Sequence, residues 1–102
     1  MFVIIETTLS HKKGAKFLAK KLLKKHLVAC VQRSRIQSRY MWESQMQKEQ
    51  EYLLRLKTRK KHLKKIYRLF KSHHPYEVPE FIVIPIQKIS KPYAKWINSV
   101  AK

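Results

Sequence analysis

The sequence predicts an α+β sandwich with four strands and two helices in the order βαββαβ, closed by a further C-terminal helix. Three observations carry this. Apolar runs of strand length alternate with longer stretches whose apolar residues recur at three- and four-residue steps, the two periods that separate strands from amphipathic helices. The second and third strand segments follow each other with no helix between them, so the two βαβ halves meet in a hairpin. The 102 residues, 44% of them hydrophobic, fit one domain spanning 1–102 with its own core.

The first strand is the apolar run over residues 2–5, followed by Glu6-Thr7-Thr8; an uninterrupted run suits a strand covered on both faces. Ser10 is placed to cap the next helix. Within it Ala15, Leu18, Ala19, Leu22 and His26 share one face, and Lys12, Lys13, Lys16, Lys20 and Lys24 line the other. Gly14 weakens its first turn slightly.

Residues 27–42 read as one strand. Leu27-Val28-Ala29-Cys30-Val31 is apolar, and Ile36, Ser38, Tyr40 and Trp42 then alternate with Gln37, Arg39 and Met41. Sixteen residues without Gly or Pro would span roughly 50 Å if extended, whereas a domain of this length is roughly 34 Å across. The strand must bend or project, and a projecting arm bearing Tyr40, Met41 and Trp42 calls for a second copy of the chain to cover it. A domain this small buries only about 60–65% of its unfolded surface, which also favours association.

Residues 43–50 read as a polar connection, and 51–58 as a strand with Tyr52, Leu54 and Leu56 on one face. A second helix covers about 60–73, with Leu63, Ile66, Tyr67 and Phe70 inward and a basic outer face. Residues 81–86 form the last strand, with Pro85 marking an edge or bulge. The final helix starts near Pro92 and turns Tyr93, Trp96, Ile97 and Val100 inward. Together these describe a ferredoxin-like sandwich with helices on one face of the sheet.

The segment Ser72-His73-His74-Pro75-Tyr76-Glu77-Val78-Pro79-Glu80 is the first place to look for function. Its two prolines bar regular helix. Its nine residues nevertheless carry two imidazoles, two carboxylates and a phenol, unlike a Gly- or Ser-rich linker.

Charge points elsewhere. Lys and Arg total 24 against six Glu and no Asp, a net +18. Such a balance suggests nucleic acid, but lysines outnumber arginines three to one, which favours non-specific, salt-sensitive contact over base or phosphate recognition by planar forks. The single Cys30 forms no internal disulfide and reads as a small buried hydrophobe. It fits a reducing cytoplasm, as does a start with neither a basic stretch nor a small-residue cleavage site. No apolar run approaches the ~18 residues of a membrane span. There is no Gly-rich phosphate loop and no zinc-hydrolase spacing, and any acid–base pair would have to be drawn from the six Glu; no enzyme is expected.

Several of these segments, in this order and spacing, resemble the CutA divalent-cation-tolerance family. They are Thr7-Thr8, Leu27-Val28-Ala29-Cys30-Val31, Ser38-x-Tyr40-x-Trp42, Glu51-x-Leu53-Leu54-x-x-Lys57-Thr58, residues 74–80, and Tyr93-x-x-Trp96-Ile97. The resemblance runs nearly end to end. It implies a homotrimer with PII-like architecture in which the long hairpin strands pair between subunits. It also implies a role in tolerance of divalent metals, copper in particular, without an established reaction.

The chain departs from the family pattern at Ser44, where Gly is usual, and at Gln32, where Asn is usual. The segment Leu9-Ser10-His11-Lys12-Lys13 replaces one often containing Pro and acidic residues. Thr7 stands where some members have a cysteine proposed, with the paired histidines, to ligate copper; a hydroxyl is a poorer soft-metal donor than a thiolate.

His73 and His74 are the metal candidates, since imidazole suits copper, nickel and zinc. Adjacent residues face different sides of a regular element, so both reach one ion only through an irregular turn, and a neighbouring subunit or Glu must complete the site. Otherwise His74 caps the helix end and His73 is solvated. Helix residues His11, His26 and His62 read as surface or edge positions. Tyr40, Trp42, Lys57, Tyr76 and Glu80 form a second constellation, placed at a cleft or interface between subunits. There the aromatics fill space, and Lys57 meets an anion or pairs with Glu80 or Glu51. The expected function is that of a homotrimeric tolerance protein binding copper or another divalent metal at such clefts. The alternatives are an anion- or nucleotide-binding PII-like regulatory module and non-specific nucleic-acid binding.

Overall fold

The computed structural model describes all 102 residues. Strand β1 (Phe2–Leu9) is followed by helix α1 (Lys12–Lys24), strands β2 (Cys30–Trp42) and β3 (Gln45–Arg59), and a single 3₁₀ turn (Lys60–His62). Helix α2 (Leu63–His73), strand β4 (Ile82–Pro85) and helix α3 (Lys91–Val100) complete the chain. The sheet order is β2-β3-β1-β4, and every neighbouring pair is antiparallel. This is the ferredoxin-like α+β arrangement expected, with the C-terminal helix added.

The core follows from the two periodicities. Ala15, Leu18 and Leu22 of α1 and Ile66, Leu69 and Phe70 of α2 pack on Ile5 and Leu9 of β1 and Leu54 and Leu56 of β3. A smaller cluster joins Ala29, Ile97 and Ala101 with Phe2 and Ile89, docking α3. The Ser90 hydroxyl accepts from Tyr93 N–H at 3.3 Å and caps α3, with Pro92 in its first turn. His62, expected at the surface, is buried, and its Nε2 donates to the Ala101 carbonyl at 3.0 Å. That bond ties the chain's end to the start of α2.

Three boundaries differ from expectation. Ser10 does not cap α1: His11 holds the cap position without a side-chain bond. At the other end His26 has φ 58°, and the bonds Leu27 N→Leu22 O and His26 N→Leu23 O, each 3.0 Å, form a Schellman closure. His26 is therefore an exposed helix stop, at the surface as read, and does not share the buried face of Ala15, Leu18 and Leu22. Leu27, Val28 and Ala29 are buried but precede the strand, which begins at Cys30.

The largest correction concerns residues 43–50. All but Glu43 and Ser44 belong to β3, and the connection is a two-residue turn between the paired Trp42 and Gln45. Both turn residues have positive φ, 51° and 64°, as a type I′ turn requires. Neither is Gly, and the left-handed region disfavours residues with a Cβ by roughly 1 kcal/mol. Ser44→Gly is accordingly expected to stabilise the fold by about 0.5–1 kcal/mol and raise the melting temperature by a few degrees. A thermal melt at fixed chain concentration checks this; a lowered midpoint would contradict the turn assignment.

The β1–β3 pairing ends at Leu9 opposite Tyr52. Beyond it, from Ile36–Glu51 to Trp42–Gln45, seven pairs form a ribbon of two strands alone. Seven residues reach roughly 23 Å, which accounts for a long axis of 45 Å against 26 and 22 Å. The strand thus both starts late and projects, as its length required.

Candidate functional site

Strand β4 pairs with β1 only from Val3 to Glu6, leaving the edge of Thr7–Leu9 open to the segment after α2. His74 ends that helix. It precedes Pro75, which pushes it out of the helical region, and it adopts φ −79°, ψ 133° while its N–H still bonds the Phe70 carbonyl at 2.8 Å. Its imidazole is buried beside the rings of Phe70 and Tyr76. Nδ1 accepts the Tyr76 backbone N–H at 3.2 Å, so Nε2 carries the proton of the neutral ring and donates to Thr7 Oγ1 at 3.0 Å. Burial holds the His74 pKa below its usual value, against weaker upward pulls from a backbone bond to Thr8 and the charge of Glu51.

Two residues on, the Tyr76 hydroxyl donates to Glu51 Oε2 at 2.6 Å. Burial and that bond push the phenol well above its ordinary range. Glu51 is itself buried, at the root of the ribbon. Residues 74–76 therefore act as a strap. One end is fastened to β1 through Thr7, the other to the point where β3 leaves the sheet.

Glu80 lies further along the same segment. Burial first, then the charges of Glu6 and Glu51, raises its carboxyl above the usual carboxylate range. Glu6 is paired with Arg55 at 3.1 Å. Three of the chain's six carboxylates thus influence one another here, with one guanidinium in attendance.

Within one chain the proposed residues separate into groups. Thr7, His74, Tyr76 and Glu80 share the edge of β1 with Glu6 and Glu51. His73 does not join them: it is exposed at the end of α2, its ring edge-on to Phe17 with 5.9 Å between centroids. The two imidazoles do not face a common point. Tyr40 and Trp42 sit out on the ribbon, where Tyr40 pairs with Gln47, roughly 13 Å along β3 from Glu51. The Tyr40 phenol has a raised pKa, chiefly from a hydrogen bond to Glu49. Lys57 lies toward the far end of β3, opposite Cys30 and Ile4, with Nζ 5.7 Å from the Tyr93 ring centroid. It pairs with neither Glu80 nor Glu51. Cys30 is half-buried, not fully enclosed.

A metal finds no complete donor set in a single chain. No three His, Cys or Glu side chains are grouped to hold an ion. Both nitrogens of His74 are already engaged, and Thr7 offers only a hydroxyl. Sequence reasoning took Glu51 as the start of a strand and of a family segment and as a partner for Lys57, and gave Glu6 no role at the site. The available signal was scarcity: with six carboxylates against 24 cations, each buried one demands a reason.

Comparison with known proteins matches residues 3–100 to the family described as CutA1 divalent ion tolerance protein. A Xenopus laevis protein named as a CutA homolog is 37% identical over 87 residues, covering 84% of this chain and 58% of the relative. The divalent-cation tolerance protein CutA of Escherichia coli is 34% identical over 98 residues, covering 95% and 88%. The chain thus spans little more than half of the Xenopus relative's length, and only 54% of that of a mouse relative. Among solved structures, the periplasmic divalent cation tolerance protein CutA of Archaeoglobus fulgidus superposes with a TM-score of 0.97 at 30% identity, covering 100% of both chains. CutA1 of Oryza sativa gives 0.94 at 32%, covering 99% and 94%.

Proposed function

The chain belongs to the CutA1 divalent ion tolerance protein family, and we propose that it serves divalent-cation tolerance as a cytoplasmic homotrimer that takes up copper or another divalent ion in clefts between subunits, without catalysing a reaction. The observation that carries this is the ribbon. Tyr40 and Trp42 occupy one face of its tip, and Met41 and Met46, paired with each other, occupy the other. Their exposures are 38, 44, 63 and 74%. An isolated two-stranded hairpin is marginal in water, and apolar side chains on both faces call for a partner that encloses it. Since the chain's own donors do not converge, an ion would be held by groups from two copies. His73, exposed and free of the strap, is the imidazole available for that.

Sedimentation equilibrium is expected to give three times the chain's 12.3 kDa. Calorimetry with copper should then show saturable heat at micromolar concentrations, weakened in His73→Ala and little changed in a conservative strap variant. A monomer at working concentration would remove the assembly. No heat from the intact trimer would remove the metal role alone.

A further inference from the structure

The charge is not spread evenly. Residues 12–25 carry seven lysines, residues 60–71 carry five lysines and Arg68, and neither stretch holds an acid. These stretches are α1 with its closing turn, and the start and body of α2. All six glutamates lie on the strands, the hairpin turn or the strap segment. The helix layer is thus a wholly cationic surface.

At the seam between the two helices this surface is concave. Lys21 and Lys25 from α1 and its turn face Lys65 and Arg68 from α2 across a depression of about 450 Å³, with His73 at its edge. Beside it stands Phe17, 54% exposed although it lies in the middle of a helix. Its ring meets that of His73 edge-on at 5.9 Å and has the Lys21 ammonium 5.8 Å from its centroid. An apolar ring left in water next to four convergent cations is unexplained by the core, by the strap or by the ribbon.

We propose that the α1–α2 seam binds single-stranded nucleic acid, with backbone phosphates against Lys21, Lys25, Lys65 and Arg68 and a base stacked on Phe17. Cations tracking a backbone and an aromatic platform beside them are the two elements sequence-tolerant single-strand binding needs. A duplex hides its base faces and leaves Phe17 idle. A flat anionic bilayer contacts ridges rather than the walls of a depression. The predominance of lysine fits phosphate neutralisation without base reading. The inference rests on the helix layer and needs no metal; the one residue it shares with the metal reading is His73, which edges the seam.

The test is fluorescence anisotropy of the full chain with short labelled oligothymidylate and oligouridylate, a matched duplex, and phosphatidylglycerol vesicles. Either single strand is expected to bind more tightly than the duplex or the vesicles. Neutralising four phosphates should give a slope of log K against log salt of about −3. Phe17→Ala should weaken single-strand binding about tenfold and leave duplex binding unchanged. The triple variant Lys21→Gln, Lys65→Gln, Arg68→Gln should lose far more affinity than the charge-matched Lys88→Gln, Lys91→Gln, Lys95→Gln, with circular dichroism showing that both remain folded. Equal losses in the two triples would overturn the proposal by reducing the effect to net charge. Tighter binding to vesicles or duplex, or indifference to Phe17→Ala, would overturn it as well.

Discussion

If the ribbon tips hold copies together as proposed, a chain carrying Trp42→Glu together with Met46→Glu is expected to sediment as a folded monomer at concentrations where the parent associates. The two substitutions act on opposite faces of the ribbon tip, because Trp42 pairs with Gln45 and Met46 with Met41. Enclosing each of these side chains is worth roughly 2 kcal/mol, and placing an unpaired carboxylate in the same enclosure costs more than the burial it removes. Even 3 kcal/mol per arm weakens each contact about a hundredfold, and in a closed ring every arm is affected. The body of the domain should survive, since its core of Ile5, Leu9, Leu18, Leu22, Leu54 and Phe70 lies far from the tip. Analytical ultracentrifugation with a far-UV circular dichroism control decides the matter. A double variant that stays trimeric would show that the ribbon tip is not what holds the copies together. Ser44→Gly, between the same strands, should leave the mass unchanged, which separates turn geometry from apolar contact.

What the sequence revealed depended on whether burial left a periodic trace. Helix α2 was legible because Ile66 and Phe70 must face the sheet, and β1 because an apolar run of strand length stands at Val3, Ile4 and Ile5, of which Val3 and Ile5 are buried and Ile4 half-buried. The outer half of β3 was not. Gln47, Lys48, Glu49 and Gln50 are all polar, so although they form strand they carry no apolar alternation, and a turn made by Glu43 and Ser44 lacks the Gly that normally marks one. Grouping His26 with the inward helix face, and placing His62 at the surface, fail for related reasons. One ends a helix through a left-handed backbone angle, and the other is buried by a carbonyl from residue 101, a contact no local pattern records. The site shows the same division. The segment 72–80 stood out by composition, but its working partner Glu51 lies 25 residues earlier in the chain and is joined to Tyr76 only by the fold. His73 and His74 read as a pair because they are adjacent. Pro75 sends the second across the sheet edge and leaves the first on the helix.

Replacing His74 by alanine is expected to cost about 3 kcal/mol and lower the melting temperature by about 15 °C. The substitution empties a buried position beside Phe70, strands the Thr7 hydroxyl and frees the Tyr76 N–H. The strap then loses its hold on β1, so Tyr76 and Glu51 are left to fix the ribbon's root alone. A pH series isolates the imidazole's own share. Because burial depresses the His74 pKa in the folded chain, the unfolded chain binds the extra proton more readily. Its contribution is complete above the ordinary histidine pKa of about 6.5 and is lost as pH falls through the lower folded value. Glu80 has the opposite sign: its raised carboxyl pKa favours the folded chain at acidic pH, and that advantage fades as pH climbs through the raised value. The wild-type profile mixes the two, so the informative quantity is its difference from His74→Gln. Urea unfolding at fixed chain concentration should show wild type losing stability relative to His74→Gln between pH 7.5 and pH 5. Parallel profiles would mean that the buried ring titrates normally and that the strap does not depend on its neutral form. A wild type that instead gained stability relative to the variant on acidification would place a positive charge in the bond to Thr7, and the tautomer assigned here would be wrong.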